Sequence, residues 1–293
     1  SCSLVGSEMC IRDSSLIALS ATVFTAHAAE RLLIIGDATP AGWSIDNALV
    51  MIQSPENPDI FTYTGYLKAD ADFKFTSNTF YGDADLEYRN ASEDAYETTT
   101  LMKGGDDRKF RVREAANYDI VCDLSNLSIS VTKSEYQENP IRYNILYLIG
   151  GATVANWNLS QAVPMQQDAN NPFILSVTTD LVSGTFKIAT NCHVGYDQDF
   201  FHPEADDQTK LTLDGTDDRQ WQIEEEDSYI VKLNLLDQTI SITKNENTAI
   251  EGISIDNQAQ DPVYYNLQGV RVNAPSKGIY IEVRGNKVSK VCL

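Results

Sequence analysis

Three residue types recur at matched places in this chain, and together they point to one kind of chemistry. Trp43 and Trp157 stand in polar loops, 114 positions apart. Lys74 lies between two phenylalanines in Phe73-Lys74-Phe75, and Lys187 lies between Phe186 and Ile188. Strand alternation turns the flanking apolar residues inward, so both lysines are expected to face out. Each segment runs on into an aromatic-bearing loop, Asn78-Thr79-Phe80-Tyr81-Gly82 and Asn191-Cys192-His193-Val194-Gly195-Tyr196. An exposed ring offers an apolar platform, while a few lysines and amides supply directed polar contacts. That combination suits the C–H face and hydroxyl rim of a sugar. Core packing is the alternative for each tryptophan taken alone. Phe110, Trp221, Tyr118 and Tyr229 fall on strands and are expected as core or corner residues.

Catalytic chemistry finds less support. Beyond residue 29 there are two histidines, His193 and His202. No nucleophile elbow, phosphate-binding loop, zinc-spaced Cys/His pair or dinucleotide fingerprint occurs. Carboxylates are numerous enough for an acid/base pair of the glycosidase kind, so counting alone leaves that open. Asp83-Ala84-Asp85 and Asp197-Gln198-Asp199 are candidate calcium loops, but they lack the Gly-x5-Glu part of an EF-hand and read better as exposed turns. The expectation is therefore no catalytic residue, no metal and no cofactor.

The elements that must position these residues occur twice. Leu32-Leu33-Ile34-Ile35-Gly36-Asp37-Ala38-Thr39 returns as Leu146-Tyr147-Leu148-Ile149-Gly150-Gly151-Ala152-Thr153. Asp106-Asp107-Arg108 returns as Asp217-Asp218-Arg219, and residues 128–133 return as 239–244. A period above 100 residues is the size of a small domain, far beyond any solenoid repeat. Within each copy, short apolar runs, period-two segments and Asp/Asn/Gly turns predict strands. Residues 117–121 and 127–131 form a closing hairpin across residues 123–126, repeated later in the chain. The fold class is all-β: two tandem immunoglobulin-like β-sandwich modules, 30–133 and 145–244, plus a small C-terminal β-hairpin tail, 263–293. Residues 134–144 and 245–262 are the expected linkers.

The chain has 293 residues and a net charge of −20, which argues against nucleic acid and anionic membrane surfaces as partners. The tail differs, with five basic residues and one acidic. Residues 16–24 form an apolar run before Ala26-His27-Ala28-Ala29, the pattern of a secretory signal peptide. The stretch before it reads as a non-native leader. Cys122, Cys192 and Cys292 make an odd, unrepeated set, expected as small buried or half-buried side chains rather than a disulfide framework.

Ile35-Gly36-Asp37-Ala38-Thr39-Pro40-Ala41-Gly42-Trp43, the Phe-Lys-Phe strand and the closing Tyr118-Asp119-Ile120-Val121-Cys122-Asp123-Leu124 resemble the repeated modules of the SusE/SusF outer-membrane starch-binding proteins of Bacteroidetes. The second copy carries the motif as Gly-Gly-Ala-Thr-Val-Ala-Asn-Trp. The resemblance implies non-catalytic binding of starch oligosaccharides by a tryptophan, a second aromatic and a lysine. The matching positions are Trp43, Lys74 and Tyr81, then Trp157, Lys187 and Tyr196. It further implies an α-glucan polysaccharide or oligosaccharide as partner, other outer-membrane glycan-uptake proteins as companions, and a secreted or outer-membrane surface location. Family members are lipoproteins with an additional N-terminal immunoglobulin-like domain, and neither feature is read here. Tyr264-Tyr265-Asn266-Leu267-Gln268-Gly269 with Gly278-Ile279-Tyr280-Ile281 instead resembles the C-terminal sorting tails of secreted Bacteroidetes proteins. The rival expectation is a structural or adhesion protein that keeps the sandwiches without the sugar platforms.

Overall fold

The structure, a computed structural model, describes residues 30–213, 217–246, 262–267, 269–284 and 287–292. The expected signal peptide and leader (1–29), most of the 245–262 linker and the Gly285-Asn286 turn lie outside the described residues. The chain divides into two compact units, one through Asn245 and one from Glu246. Apart from two short 3-10 turns, Ala84–Leu86 and Leu159–Gln161, the regular structure of the described residues is strand with one residue in a further helical turn, as expected of an all-β protein.

The first copy contributes β1 (Leu33–Ile35), β2 (Leu49–Val50), β3 (Ile52–Gln53), β4 (Ile60–Leu67), β5 (Lys74–Thr76), β6 (Glu87–Asn90), β7 (Leu101–Lys103), β8 (Ala116–Asp123) and β9 (Ser128–Lys133). They form two antiparallel sheets, ordered β2-β1-β5-β6-β7 and β3-β4-β8-β9. The second copy contributes β10 (Ile145–Ile149), β11 (Val163–Gln167), β12 (Ile174–Leu181), β13 (Gly184–Ala189), β14 (Phe200–Pro203), β15 (Leu211–Leu213), β16 (Trp221–Ile223), β17 (Asp227–Asn234) and β18 (Thr239–Lys244). Here one unbroken β11 replaces the split β2 and β3, so the strands join as β15-β14-β13-β10-β11-β12-β17-β18, with β16 paired to β13. The expected hairpins close both copies: Val121 pairs with Ser130, and Lys232 with Ser241.

Two tyrosines lock the copies in the same way. The Tyr118 hydroxyl donates to the Glu114 carbonyl at 2.9 Å, and Tyr229 donates to Glu225 at 2.9 Å. Each is a tyrosine corner, with the ring in the core and the hydroxyl tied to backbone four residues upstream. Phe110 packs at a tilt against Phe73 and Phe75, and Trp221 lies 5.6 Å from the Phe186 ring. The core expectation for these residues holds.

The apolar run of β1 is buried on both faces. Leu32 and Ile34 point into the sandwich core with Phe61, Phe75 and Ile120. Leu33 and Ile35 point the other way and join one cluster with Tyr147, Ile149, Ala189 and Phe200 of the second copy. Period-two geometry requires this division, and burying both faces explains why the run is continuously apolar.

The 134–144 segment is stitched into the structure. Asn117 donates from Nδ2 to the carbonyls of Tyr136 and Asn139, and its Oδ1 accepts the Ile141 amide at 2.9 Å. The Ile141 carbonyl accepts from Tyr66, and its side chain is buried. One polar side chain thus satisfies three backbone groups that the segment would otherwise leave unpaired.

The second unit is a four-stranded antiparallel sheet in the order β20-β19-β21-β22, from β19 (Val263–Tyr265), β20 (Arg271–Val272), β21 (Ile279–Arg284) and β22 (Lys287–Cys292). Tyr264 and Tyr280 meet edge to face at 6.4 Å, while Leu267, Val270, Ile279 and Val288 are exposed. Among the described residues, no helix is long and apolar enough to cross a membrane.

Candidate functional site

The Gly-x-Ala-Thr motif is a device for presenting a tryptophan. Gly36 has φ +136° and Gly150 +148°, backbone that side chains rarely adopt. A Cβ at Gly36 would fall 2.6 Å from the Phe73 Cα, and one at Gly150 2.5 Å from the Phe186 Cα. Glycine therefore lets the loop cross directly over the Phe-Lys strand. Thr39 and Thr153 each close the turn by donating Oγ1 to the glycine carbonyl at 2.9 Å. The residue before each tryptophan is left-handed, Gly42 at φ +58° and Asn156 at φ +50°. Asparagine is among the few residues that tolerate that conformation, so Gly42 and Asn156 are equivalent solutions.

The tyrosine loops come to meet these turns. The Tyr81 hydroxyl donates to the Trp43 carbonyl, and Tyr196 donates to the Trp157 carbonyl at 2.5 Å. In the second copy Gln198 holds the loop from inside, accepting the Asn191 amide at 2.7 Å and donating to the carbonyls of Asn191 and Gly195. Tyr81 is 50% exposed, Tyr196 47% and Trp157 39%, while Trp43 is half-buried against the inter-copy cluster. Burial raises the phenol pKa of both tyrosines, with Glu87 and Asp46 adding to the effect at Tyr81. Both hydroxyls therefore stay protonated donors.

The lysines correct the expectation of outward, solvent-facing groups. They do leave the face occupied by the phenylalanines, but Lys74 is only 5% exposed and Lys187 only 7%. That face is itself covered: Lys74 lies against Trp43, Glu87 and Asp107, and Lys187 against Tyr196, Phe200 and Asp218. The Lys74 ammonium donates to Glu87 at 2.6 Å and Asp107 at 3.0 Å, and lies 5.9 Å from the Trp43 ring centroid. Arg89 shares Glu87 at 2.7 Å, and Lys109 shares Asp107 at 2.7 Å. Among the described residues, the carboxylate paired with Lys187 is Asp218, at 2.8 Å. It sits 3.9 Å from the Phe200 centroid, and Phe200 stacks with Tyr196 at 5.7 Å and 17°.

Structure therefore brings each predicted trio together: Trp43, Lys74 and Tyr81, and Trp157, Lys187 and Tyr196. Asp107, Asp218 and Phe200 went unassigned in the sequence reading. The signal for the two aspartates was present in the repeated Asp-Asp-Arg. At Asp107 burial opposes ionisation, but hydrogen bonds from Lys109 and Lys74 outweigh it and hold the carboxyl below its usual range. At Asp218 the Lys187 hydrogen bond does the same against burial. Each site thus offers an exposed tyrosine ring beside a fixed, half-exposed carboxylate, able to accept hydroxyl hydrogen bonds.

Asp83 caps the first 3-10 turn by accepting the Asp85 amide at 3.1 Å. Among the described residues, no three His, Cys, Asp or Glu side chains are placed to hold a metal. Cys122 is buried, Cys192 half-buried and Cys292 exposed, all as free thiols. A hollow of about 460 Å³ between the 134–144 segment and the second copy is lined by Tyr143, Phe173, Phe201, Leu213 and Leu236 among others, and by none of the six platform residues.

No protein-family model matches the chain. No curated protein matches it. Among solved structures, the chain is similar to SusF from Bacteroides thetaiotaomicron, with 11% sequence identity and a TM-score of 0.34. The match covers 88% of this chain and 58% of the SusF chain. At that score the likeness carries neither a family nor a function.

Proposed function

We propose that this chain is a non-catalytic carbohydrate-binding protein of the secreted or outer-membrane surface kind, with two tandem platforms favouring α-glucans. The observation that carries the reading is a contact made twice. In each copy a loop tyrosine hydroxyl donates to the tryptophan carbonyl, which holds an exposed tyrosine ring next to the tryptophan and beside a lysine–aspartate pair. Core packing alone does not require a half-exposed tyrosine to be tethered to a tryptophan in both copies. Trp43, Lys74, Tyr81, Trp157, Lys187 and Tyr196 are the residues assigned, with Asp107 and Asp218 as acceptors. The lysines act by fixing those carboxylates and backing the rings, since their own ammonium groups are buried. The tail is assigned to sorting at the cell surface, and other outer-membrane glycan-uptake proteins are the companions expected there.

A structural or adhesion role is the second reading, favoured by the burial of both lysines. Affinity electrophoresis separates the two. Residues 30–293 should be retarded in native gels containing amylopectin, and a Trp157→Ala/Tyr81→Ala double variant should run freely. A folded protein unhindered by amylopectin, pullulan, dextran and xylan would leave the structural reading.

A further inference from the structure

The loops that carry the two platforms touch each other. Asn47, four residues beyond Trp43, accepts the backbone amide of Asp199 on Oδ1 at 2.8 Å. Ala48 accepts the Asn191 side-chain amide at 2.8 Å, and that bond is buried. Asp199 and Asn191 bracket Tyr196 in one loop. Trp43 itself packs against the cluster in which Leu33, Ile35 and Val50 of the first copy meet Tyr147, Ile149 and Phe200 of the second. Chain geometry through the Asn47–Asp199 bond then keeps the Cα atoms of Trp43 and Tyr196 within about 35 Å. The pinned Ile141 segment adds a second attachment on the core side.

We propose that the two platforms form one bivalent surface that engages a single extended polysaccharide chain, rather than two independent sites for separate ligands. The inference rests on the carbohydrate-binding reading. A flexible tether would give each site its own ligand and a diffuse effective concentration. A rigid junction fixes the span, so the second engagement is intramolecular and costs no search of linker conformations. The partner that fits is a chain long enough to reach both rings. Short oligosaccharides then bind as two separate, weak events.

Isothermal titration of the full chain with maltotriose and with monodisperse maltodextrins of increasing length tests this. The expected result is two maltotrioses per protein, but one long maltodextrin per protein bound about 100-fold more tightly. Tyr81→Ala alone, at an exposed ring outside the junction cluster, should return the long ligand to the maltotriose affinity. Two long ligands per protein at unchanged affinity would overturn the proposal and leave the binding reading standing. A single site at every length would do the same. Absence of binding by any glucan, with the protein folded by circular dichroism, would overturn both.

Discussion

Replacing the equivalent lysines by methionine should affect the two copies very differently. Lys74→Met removes two charge-assisted hydrogen bonds from a site where the Glu87 side chain is 9% exposed. Breaking a buried pair by deleting one partner costs about 3–5 kcal/mol, because the surviving charge loses its compensation. Arg89 still holds Glu87 at 2.7 Å and Lys109 still holds Asp107, which brings the expected loss to about 2–4 kcal/mol. Lys187→Met leaves behind Asp218, whose side chain is 61% exposed, so that ion pair contributes about 0–1 kcal/mol. The cation–π contact with Phe200 adds about 2 kcal/mol when desolvated. A methionine sulfur against the same ring recovers about 0.3–1.5 kcal/mol of that. The net loss should be about 0.5–2.7 kcal/mol. Urea unfolding of the full chain, followed by tryptophan fluorescence and far-UV circular dichroism, reads both values. Equal losses, or a larger one at Lys187, would refute the contrast between an ionic and an aromatic lysine seat.

Two further substitutions probe buried polar groups. Among the described residues the Tyr63 hydroxyl is buried without a partner, in a space left by Gly65, so Tyr63→Phe should hold stability level or raise it by about 1 kcal/mol. A loss above that size would mean that the hydroxyl is bonded after all. His193 is held neutral, with burial first and the Arg31 charge second taking its pKa from 6.5 to about 4 against an opposing pull from Glu30. The unfolded chain binds that proton more readily, so His193 leaves stability untouched above pH 6.5. It removes about 2–3 kcal/mol as pH falls through the window down to about 4. Urea midpoints of wild type and His193→Gln should diverge only in that window, and parallel curves would contradict the assignment.

Much of the fold was legible because duplication supplied a control inside one chain. Residues that serve a backbone need recur or change only within it, as Gly36 and Gly150 do and as Gly42 and Asn156 do. Tyr118 and Tyr229 were legible for the same reason, each lying at the start of a strand that enters a closing hairpin. What alternation could not give was the cover on the far face of β1 and β5. The run 32–35 announces two buried faces, but only tertiary structure shows that the second face meets Tyr147 and Ile149. Trp43 and Phe200, which lie beside the lysines, pack in or against the cluster on that second face, so a residue pointing away from the sandwich core does not reach solvent there. The pinned 134–144 segment was hidden similarly, because its stitching depends on Asn117 and the second copy has Ser228 at the matching place.

Three tryptophans permit a direct test of the account. Trp221 is buried and donates Nε1 to the Gln208 carbonyl at 2.9 Å, so its indole signal is an internal control. In a proton–nitrogen correlation spectrum titrated with a long maltodextrin, the indole resonances of Trp43 and Trp157 should shift or broaden together while that of Trp221 stays in place. Indole signals that all remain fixed at saturating glucan, or movement confined to Trp221, would contradict the two-platform account.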